Sequence, residues 1–515
     1  MKHPTSLNGL KPLWLVWITL WLFGLAGCAN VPLATFKPFN SFVNVEPQGS
    51  GAEWRAINRL SYGPTPALLA DIKANGHPKR WALQQLEAAR EASLQAAKLP
   101  PDLESINASL PTIFDGARKE REARAAVPAG TQINEQIAND RRFNFQDAVD
   151  PLFYNRTQIN KATAWRLASC SSDDFEQPLL ARMTEFWFNH FNVYQQKGTV
   201  RPFVGHYAIN VARKHALGKF EDLVLASAKH PAMLYYLDQW LSVAPQVARA
   251  GQAARGLNEN YARELMELHT LGVQGGYTQD DVRELARVLT GWTISARSPD
   301  GFQFVMRLHE SGNKTIMGQT IPSSAQHLGE KEGEQAIRFL ANHPATARRV
   351  SHRLAEYFVS DNPTPELIDA MSKTFMATHG DIYEVMKVLL NHAAFWDPAN
   401  KLYRTPYDYA CASLRAVNAG QDRSKWLQAF GYAAVAGNGI HNWPTPDGYA
   451  FNANTWLTPE ALTRRIDFAL TMGRGAKERP DIIEYLSDAT QKAVMTQTPA
   501  QRMGFVLGSS ELVYK

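Results

Sequence analysis

The stretch from Leu257 to Trp292, LNENYARELMELHTLGVQGGYTQDDVRELARVLTGW, restricts the fold more than any other part of this chain. Asn258 to Leu271 reads as a helix that Asn258 or its neighbour caps and Gly272 ends. On a helical wheel Leu257, Tyr261, Leu265 and Leu268 share one stripe, with Glu264 at its edge and Asn260, Glu267 and Leu271 beside it. Arg263 stands four residues from both Glu259 and Glu267, the spacing of helix-surface ion pairs. His269 projects away from Glu267, which removes a Glu–His metal pair on one helix. Gly275 and Gly276 supply a tight turn, and Thr278 with Asp281 forms a capping box for a second helix. Val282, Leu285, Ala286, Leu289 and Trp292 make its apolar face, with Arg283 and Arg287 together on another. Such a segment belongs to helix-on-helix packing. Burying this many ionisable groups demands either an ion-pair network or a site. Glu264 is the acid expected to be buried.

Most of the remaining chain carries the same helical period. Short helices are expected at 66–75 and 79–98, and the pattern is helical throughout 174–242. A helix at 181–195 would put Met183, Phe186, Trp187, His190 and Tyr194 on one face, with His190 at the centre of an apolar surface. The next helix aligns His206, Asn210 and Arg213, either as a polar rim or as contacts for an anion. Further helices are expected at 331–342, at 344–358 with Pro344 in the first turn, through 364–392, and from Thr458-Pro459-Glu460 onward. The exception is 302–317, where Phe302 to Met306 is strand-like and Glu310 to Asn313 is turn chemistry. Lys314 to Met317 can pair back there as a small β-hairpin. Residues 435–455 form a loop with Trp443, Tyr449 and Trp456 as anchors. The expectation is a mainly α fold: one large helical domain over 53–515, with a less regular insertion at 99–145 and a single β-hairpin.

The N-terminus bears on compartment. Lys2 and Lys11 precede an apolar run, Pro12 to Gly24, that is too short to span a bilayer comfortably. Leu25-Ala26-Gly27-Cys28 resembles a bacterial lipoprotein box. That resemblance implies a signal peptide at 1–27, lipidation of Cys28, a tether over 28–52 and attachment to a membrane through the lipid. Ala29 stands where an Asp would signal inner-membrane retention, so the expected address is the outer membrane, facing the periplasm. An ordinary secretory leader or a signal anchor is the alternative, and Trp14, Trp17 and Trp21 are unusual in a leader. The formal charge is +5, and removing Lys2 and Lys11 with the acid-free leader lowers it by two to +3. That is too mild to argue for nucleic acid. Cys170 and Cys411 can pair in an oxidising compartment or remain two buried thiols.

Several motifs together carry a family resemblance. They are Arg59-Leu60-Ser61-Tyr62-Gly63-Pro64, Trp187-Phe188-Asn189-His190-Phe191, His230-Pro231-Ala232-Met233 and Tyr236-Leu237-Asp238. Asn258 to Leu265, Thr290-Gly291-Trp292, His309 and His343-Pro344-Ala345-Thr346-Ala347 complete them. The chain resembles the bacterial domain-of-unknown-function 1800 family from about Trp54 to beyond Phe468, with a looser Gly448-Tyr449 to Trp456 region. The resemblance implies an exported, mostly helical protein, often encoded beside an exported sulfatase-like protein that is a possible partner. It implies no activity, so no catalytic residue carries over.

Two functional readings follow from the residues. In the first, Glu264, His190 and Glu267 form a catalytic site, with Asn260, Arg263, Trp187, Trp292 and His309 as ligand contacts. His190 and Glu264 from facing helices would be its metal candidates, and Glu264 in an apolar wall would titrate high enough to act as acid or base. No HExxH, P-loop, dinucleotide fingerprint or nucleophile elbow accompanies them, and no cofactor is indicated. In the second, the chain is a lipid-anchored binding or assembly factor for a periplasmic partner or envelope polymer, with Trp443, Tyr449 and Trp456 as stacking anchors.

Overall fold

Helix starts set the architecture of this chain, and many are written the same way. In a computed structural model that describes residues 46–128, 130–131, 143, 150–245, 256–323 and 328–515, Thr65, Thr364, Thr405 and Thr458 each accept an N–H of the first turn, and each is followed by a helical Pro. His230, His343 and His392 do the same work through the ring, with Nδ1 accepting from the backbone N–H of Ala232, Ala345 and Ala394. Each such cap satisfies a donor that the helix itself cannot, and is worth about 1 kcal/mol. The expected signal peptide, Cys28 and most of the tether lie outside the described residues, as does much of 129–149.

The expected helices at 66–75, 79–98 and 344–358 are found at Pro66–Asn75, Pro78–Leu94 and Pro344–Phe358. Regular structure begins slightly earlier than the sequence suggests, with Ser50–Leu60. The run 364–392 is two helices, Pro365–Ala377 and Ile382–Asn391, broken where His379 and Gly380 take positive φ. The helix expected at 181–195 ends at His190, so Tyr194 leaves its face. Within 99–145 the chain forms a 3-10 turn at Pro101–Asn107 and a helix at Leu110–Ala125.

Residues 302–316 supply strands, but not the expected hairpin. Strand β1 (Trp292–Ile294) pairs antiparallel with β2 (Phe302–Phe304), and β3 (Lys314–Ile316) pairs with β4 (Gln319–Ile321). Each strand joins its nearest neighbour in sequence through a short glycine-bearing turn, which is the less demanding loop closure. Among the described residues the fold is mainly α with two two-stranded sheets.

All described residues belong to one compact unit, Val43–Lys515. The helix Pro178–His190 is central, with nearly every residue buried. It packs on Pro78–Leu94, Tyr154–Ser171 and the π-helical Ala208–Arg213 segment. Phe186, Trp187 and Phe191 join Phe220 and Phe375 in an aromatic core. Farther along, Pro459–Gly473 and Pro499–Leu507 cross where a side chain on Gly473 would stand 2.3 Å from Gly504 N, so glycine sets that separation. Cys170 and Cys411 join Tyr154–Ser171 to Pro406–Ala416 as a disulfide. No helix among the described residues is long and apolar enough to cross a membrane.

Candidate functional site

The polar side chains of Trp187-Phe188-Asn189-His190-Phe191-Asn192 act as clamps on backbone from distant segments. Asn189 accepts from Tyr449 N at 2.7 Å and donates to Tyr449 O at 2.8 Å. Asn192 donates to Trp443 O and Thr445 O at 3.0 and 2.8 Å. His190 donates Nε2–H to His269 O at 3.1 Å. That carbonyl ends the helical run Glu259–Glu264, continued as a π-helix over Leu265–His269, and has no partner within it. Burial, followed by the charge of Arg349, pushes the His190 imidazole well below its ordinary pKa. His190 is therefore a neutral core donor.

Glu264 is half-buried rather than enclosed. Burial raises its pKa, Glu267 and Asp447 raise it further, and Arg263 opposes them. Arg263 donates to Gln279 instead of pairing with Glu259 or Glu267. Gln279 in turn donates to Glu259, and Glu267 accepts from the Tyr277 hydroxyl at 3.2 Å. The expected Arg263 ion-pair set is thus replaced by links between the two helices of the signature. The Thr278–Asp281 capping box is present as read. Asn260 is exposed, whereas Trp187 and Trp292 are fully buried. Trp187 Nε1 donates to Ala216 O at 2.8 Å.

His309 belongs to a different cluster from His190. Its Nδ1–H donates to Thr290 O at 2.8 Å, and its Nε2 lies 3.2 Å from Glu332 Oε2. Lys314 reaches the same carboxylate oxygen at 2.6 Å, so this buried set ties β3 to the helix Gly329–Ala341. His206, Asn210 and Arg213 also turn inward: His206 meets His230 at 3.0 Å, Asn210 donates to Asn107, and Arg213 pairs with Glu176. They glue helices together and are not a rim for an anion. Among the described residues no group of three or more His, Cys, Asp and Glu side chains is arranged to hold a metal ion.

A narrow cleft with about 30 Å3 of free space, room for a water or two, lies on another face of the central helix. Arg182, Glu185 and Asn189 follow the i, i+3, i+7 spacing of one helix face toward it. Glu185 and Asn189 line the cleft with Glu356, Thr405, Asn438, Asp408 and Lys515. Tyr62, Tyr357, Tyr403, Tyr407, Tyr449 and Phe451 make its aromatic walls. Two adjoining hollows extend it, one past Arg166 and His441, the other past Trp165 and Cys170.

The acids of the cleft are held in ion pairs. Glu185 meets Arg166, and Glu356 meets Arg353 at 2.8 Å. Asp408 sits in the first turn of Pro406–Ala416, where Arg404 and Arg182 each approach to 2.9 Å and Lys515 closes the set. The Arg182 contact has ion-pair distance without hydrogen-bond direction. Its guanidinium lies between the rings of Tyr62 and Tyr357, at 4.8 and 4.5 Å. Burial works to raise the Asp408 pKa, but Arg182, Lys515 and Arg404 together hold it well below the carboxylate range. Burial pushes the phenols of Tyr62, Tyr357 and Tyr407 up, so they face the cleft as neutral hydroxyls.

A family model described as a protein of unknown function, DUF1800, matches residues 55–511, which includes every wall of this cleft except Lys515. The chain belongs to the DUF1800 family. Neither a curated protein nor a solved structure matches it. In this DUF1800 protein the signature motifs assemble the scaffold around the cleft. Gly448, at φ 72°, is needed where the clamped loop meets Asn189, because a side chain there would stand 2.2 Å from Asn189 O. Sequence reasoning passed over Glu185, Tyr357, Asp408 and Lys515. The available signal was Arg182 and Glu185 inside an otherwise apolar helix, together with the Arg404–Asp408 spacing of four.

Proposed function

We propose that this chain is an exported, lipid-anchored envelope protein that binds a hydroxyl-rich ligand, namely a sugar of an envelope polysaccharide, at the mouth of its tyrosine-walled cleft. The observation that carries the reading is the lining of that cleft. Tyr449 offers a partly exposed ring at the mouth, while Glu185, Glu356 and Thr405 offer polar atoms beside it. A hydrolase of the two-carboxylate type needs both carboxyl groups free to flank the bond it cleaves. Both cleft glutamates instead sit against guanidinium groups, which favours holding a ligand over cleaving it. Export is supported by the Cys28 leader and by the Cys170–Cys411 pairing, since disulfides persist in oxidising compartments. An exported sulfatase-like partner fits the same reading as an enzyme acting on the polymer held here.

Full-length protein in detergent, screened against neutral and acidic envelope-type oligosaccharides, tests the proposal. Saturable binding that weakens when Tyr449 is changed to Ala supports it, and a blank screen refutes it. Release of shortened products on incubation would move the assignment to the hydrolase reading, with Glu185 and Glu356 as its carboxylates.

A further inference from the structure

We infer that two copies of this chain associate through the helix Pro459–Gly473, packed antiparallel against itself about a twofold axis at Ile466. This pairing is independent of the cleft and of its ligand. Exposed large apolar side chains among the described residues gather between Leu427 and Phe505, with only Leu94, Val273 and Met376 elsewhere. Three of them form one stripe. Leu462, Ile466 and Leu470 follow the i, i+4, i+8 spacing of a single helix face, and all three are exposed. The core side of the same helix is filled separately by Arg465, Phe468, Ala469 and Met472. A side chain on Gly504 would stand 3.2 Å from Leu470 Cδ2, which places the exposed Phe505, next in the chain, at the Leu470 end of the stripe. A helix that is apolar on its solvent side as well as its core side calls for cover on both.

The charges around the stripe decide what covers it. Glu460 and Asp467 are exposed carboxylates on this helix, and acids flanking the apolar face oppose seating on an anionic bilayer. About Ile466 the face is nearly palindromic. Leu462 and Leu470 stand one helical turn to either side, Glu460 lies in the first turn, and Arg474 lies just past the last. Antiparallel packing about a twofold at Ile466 sets Leu462 of each copy against Leu470 of the other, and brings Glu460 of each toward Arg474 of the other. The Glu460 side chain is 76% exposed despite its contact with Arg464, and Arg474 is exposed with no ion-pair partner among the described residues. Opposite charges at the two ends of one apolar stripe are self-complementary only in this antiparallel sense. The parallel arrangement would set like charges together.

The test begins with disulfide trapping in envelope membranes that carry the full-length protein, comparing Ile466→Cys with Val273→Cys, an exposed apolar position elsewhere. A cysteine on the twofold meets its own copy, so Ile466→Cys should yield covalent dimer under mild oxidation and Val273→Cys should not. Purified full-length protein in detergent should sediment as a dimer. Its dissociation constant should rise at least about hundredfold in Ile466→Glu. The melting midpoint of the monomer should stay unchanged, because Ile466 is outside the core. Glu460→Arg should weaken the dimer about tenfold, and Glu460→Arg/Arg474→Glu should restore it. A monomer at every concentration, a dimer that survives Ile466→Glu, or a charge reversal that is not rescued overturns the inference. Monomeric protein with residues 1–28 replaced that still floats with phosphatidylglycerol vesicles, and ceases to in Ile466→Glu, assigns the face to lipid and overturns it as well.

Discussion

Breaking the Cys170–Cys411 disulfide should remove a large part of the stability of this protein. The two cysteines are 241 residues apart in sequence, so the bridge closes nearly half of the chain in the unfolded state. The chain-entropy relation for a loop of this length gives about 5 kcal/mol at 25 °C, a large fraction of a typical total of about 5–15 kcal/mol. Both half-cystines are buried and the bridge borders a hollow beside Tyr407, so solvation in the native state changes little when it is lost. The comparison is between the oxidised protein and a Cys170→Ala/Cys411→Ala double variant, each secreted with an exchangeable leader in place of residues 1–28. Urea unfolding followed by tryptophan fluorescence should show a loss of about 3–5 kcal/mol. The dependence on urea should steepen, because the unlinked chain exposes more surface when unfolded. Two reactive thiols per chain in unreduced, denatured protein would refute the disulfide. A loss below about 1 kcal/mol in the double variant would refute the entropic argument.

Acid should destabilise the fold before most carboxylates protonate. Burial depresses His206 to about 4 and His269 to about 3, and pushes His190, His230 and His441 below their ordinary value. Each contributes stability that is complete above about pH 6.5 and is lost as pH falls toward the folded pKa, at up to about 1.4 kcal/mol per pH unit. The melting temperature should therefore fall steadily from pH 7 to pH 4, and a flat profile there would contradict the neutral buried histidines. Asp408→Asn leaves Arg182, Arg404 and Lys515 without their counter-charge and should lose about 3–5 kcal/mol in denaturant unfolding. Asn189→Ala removes both clamps on Tyr449, for a loss of about 1–3 kcal/mol. Hydrogen exchange in the loop 441–449 should rise in that variant, and unchanged exchange would show that the loop is held by other contacts. Glu264→Gln relieves crowding with Glu267 and Asp447, so stability should hold or improve by less than about 1 kcal/mol in the same assay.

Local structure was more legible in the sequence than the site was. Thr-Pro and His-Pro pairs, the Thr278–Asp281 box and the Gly272 stop mark helix ends because capping is chemistry between near neighbours. Strand-like residues were visible at 302–316, yet their partners were misjudged, since pairing depends on which turn closes and not on strand content. The polar signature residues suggested chemistry, but most of them hold distant backbone: Asn189 and His190 gain their meaning from segments 260 and 79 residues away. The cleft was harder still. Lys515, Asp408 and Arg182 come from three separate regions, and nothing in their local sequence says that they meet. Arg182 and Glu185 within an apolar helix, with the Arg404–Asp408 spacing of four, were the local signs that charges had to be answered from elsewhere.

The most direct test of the central claim is a crystal structure of this protein soaked with the tightest oligosaccharide from the binding screen. A sugar ring against Tyr449 at the mouth of the cleft, with hydroxyls reaching Glu185 and Glu356, is the result expected. Density for the sugar on any other surface, with this cleft unchanged, would contradict it.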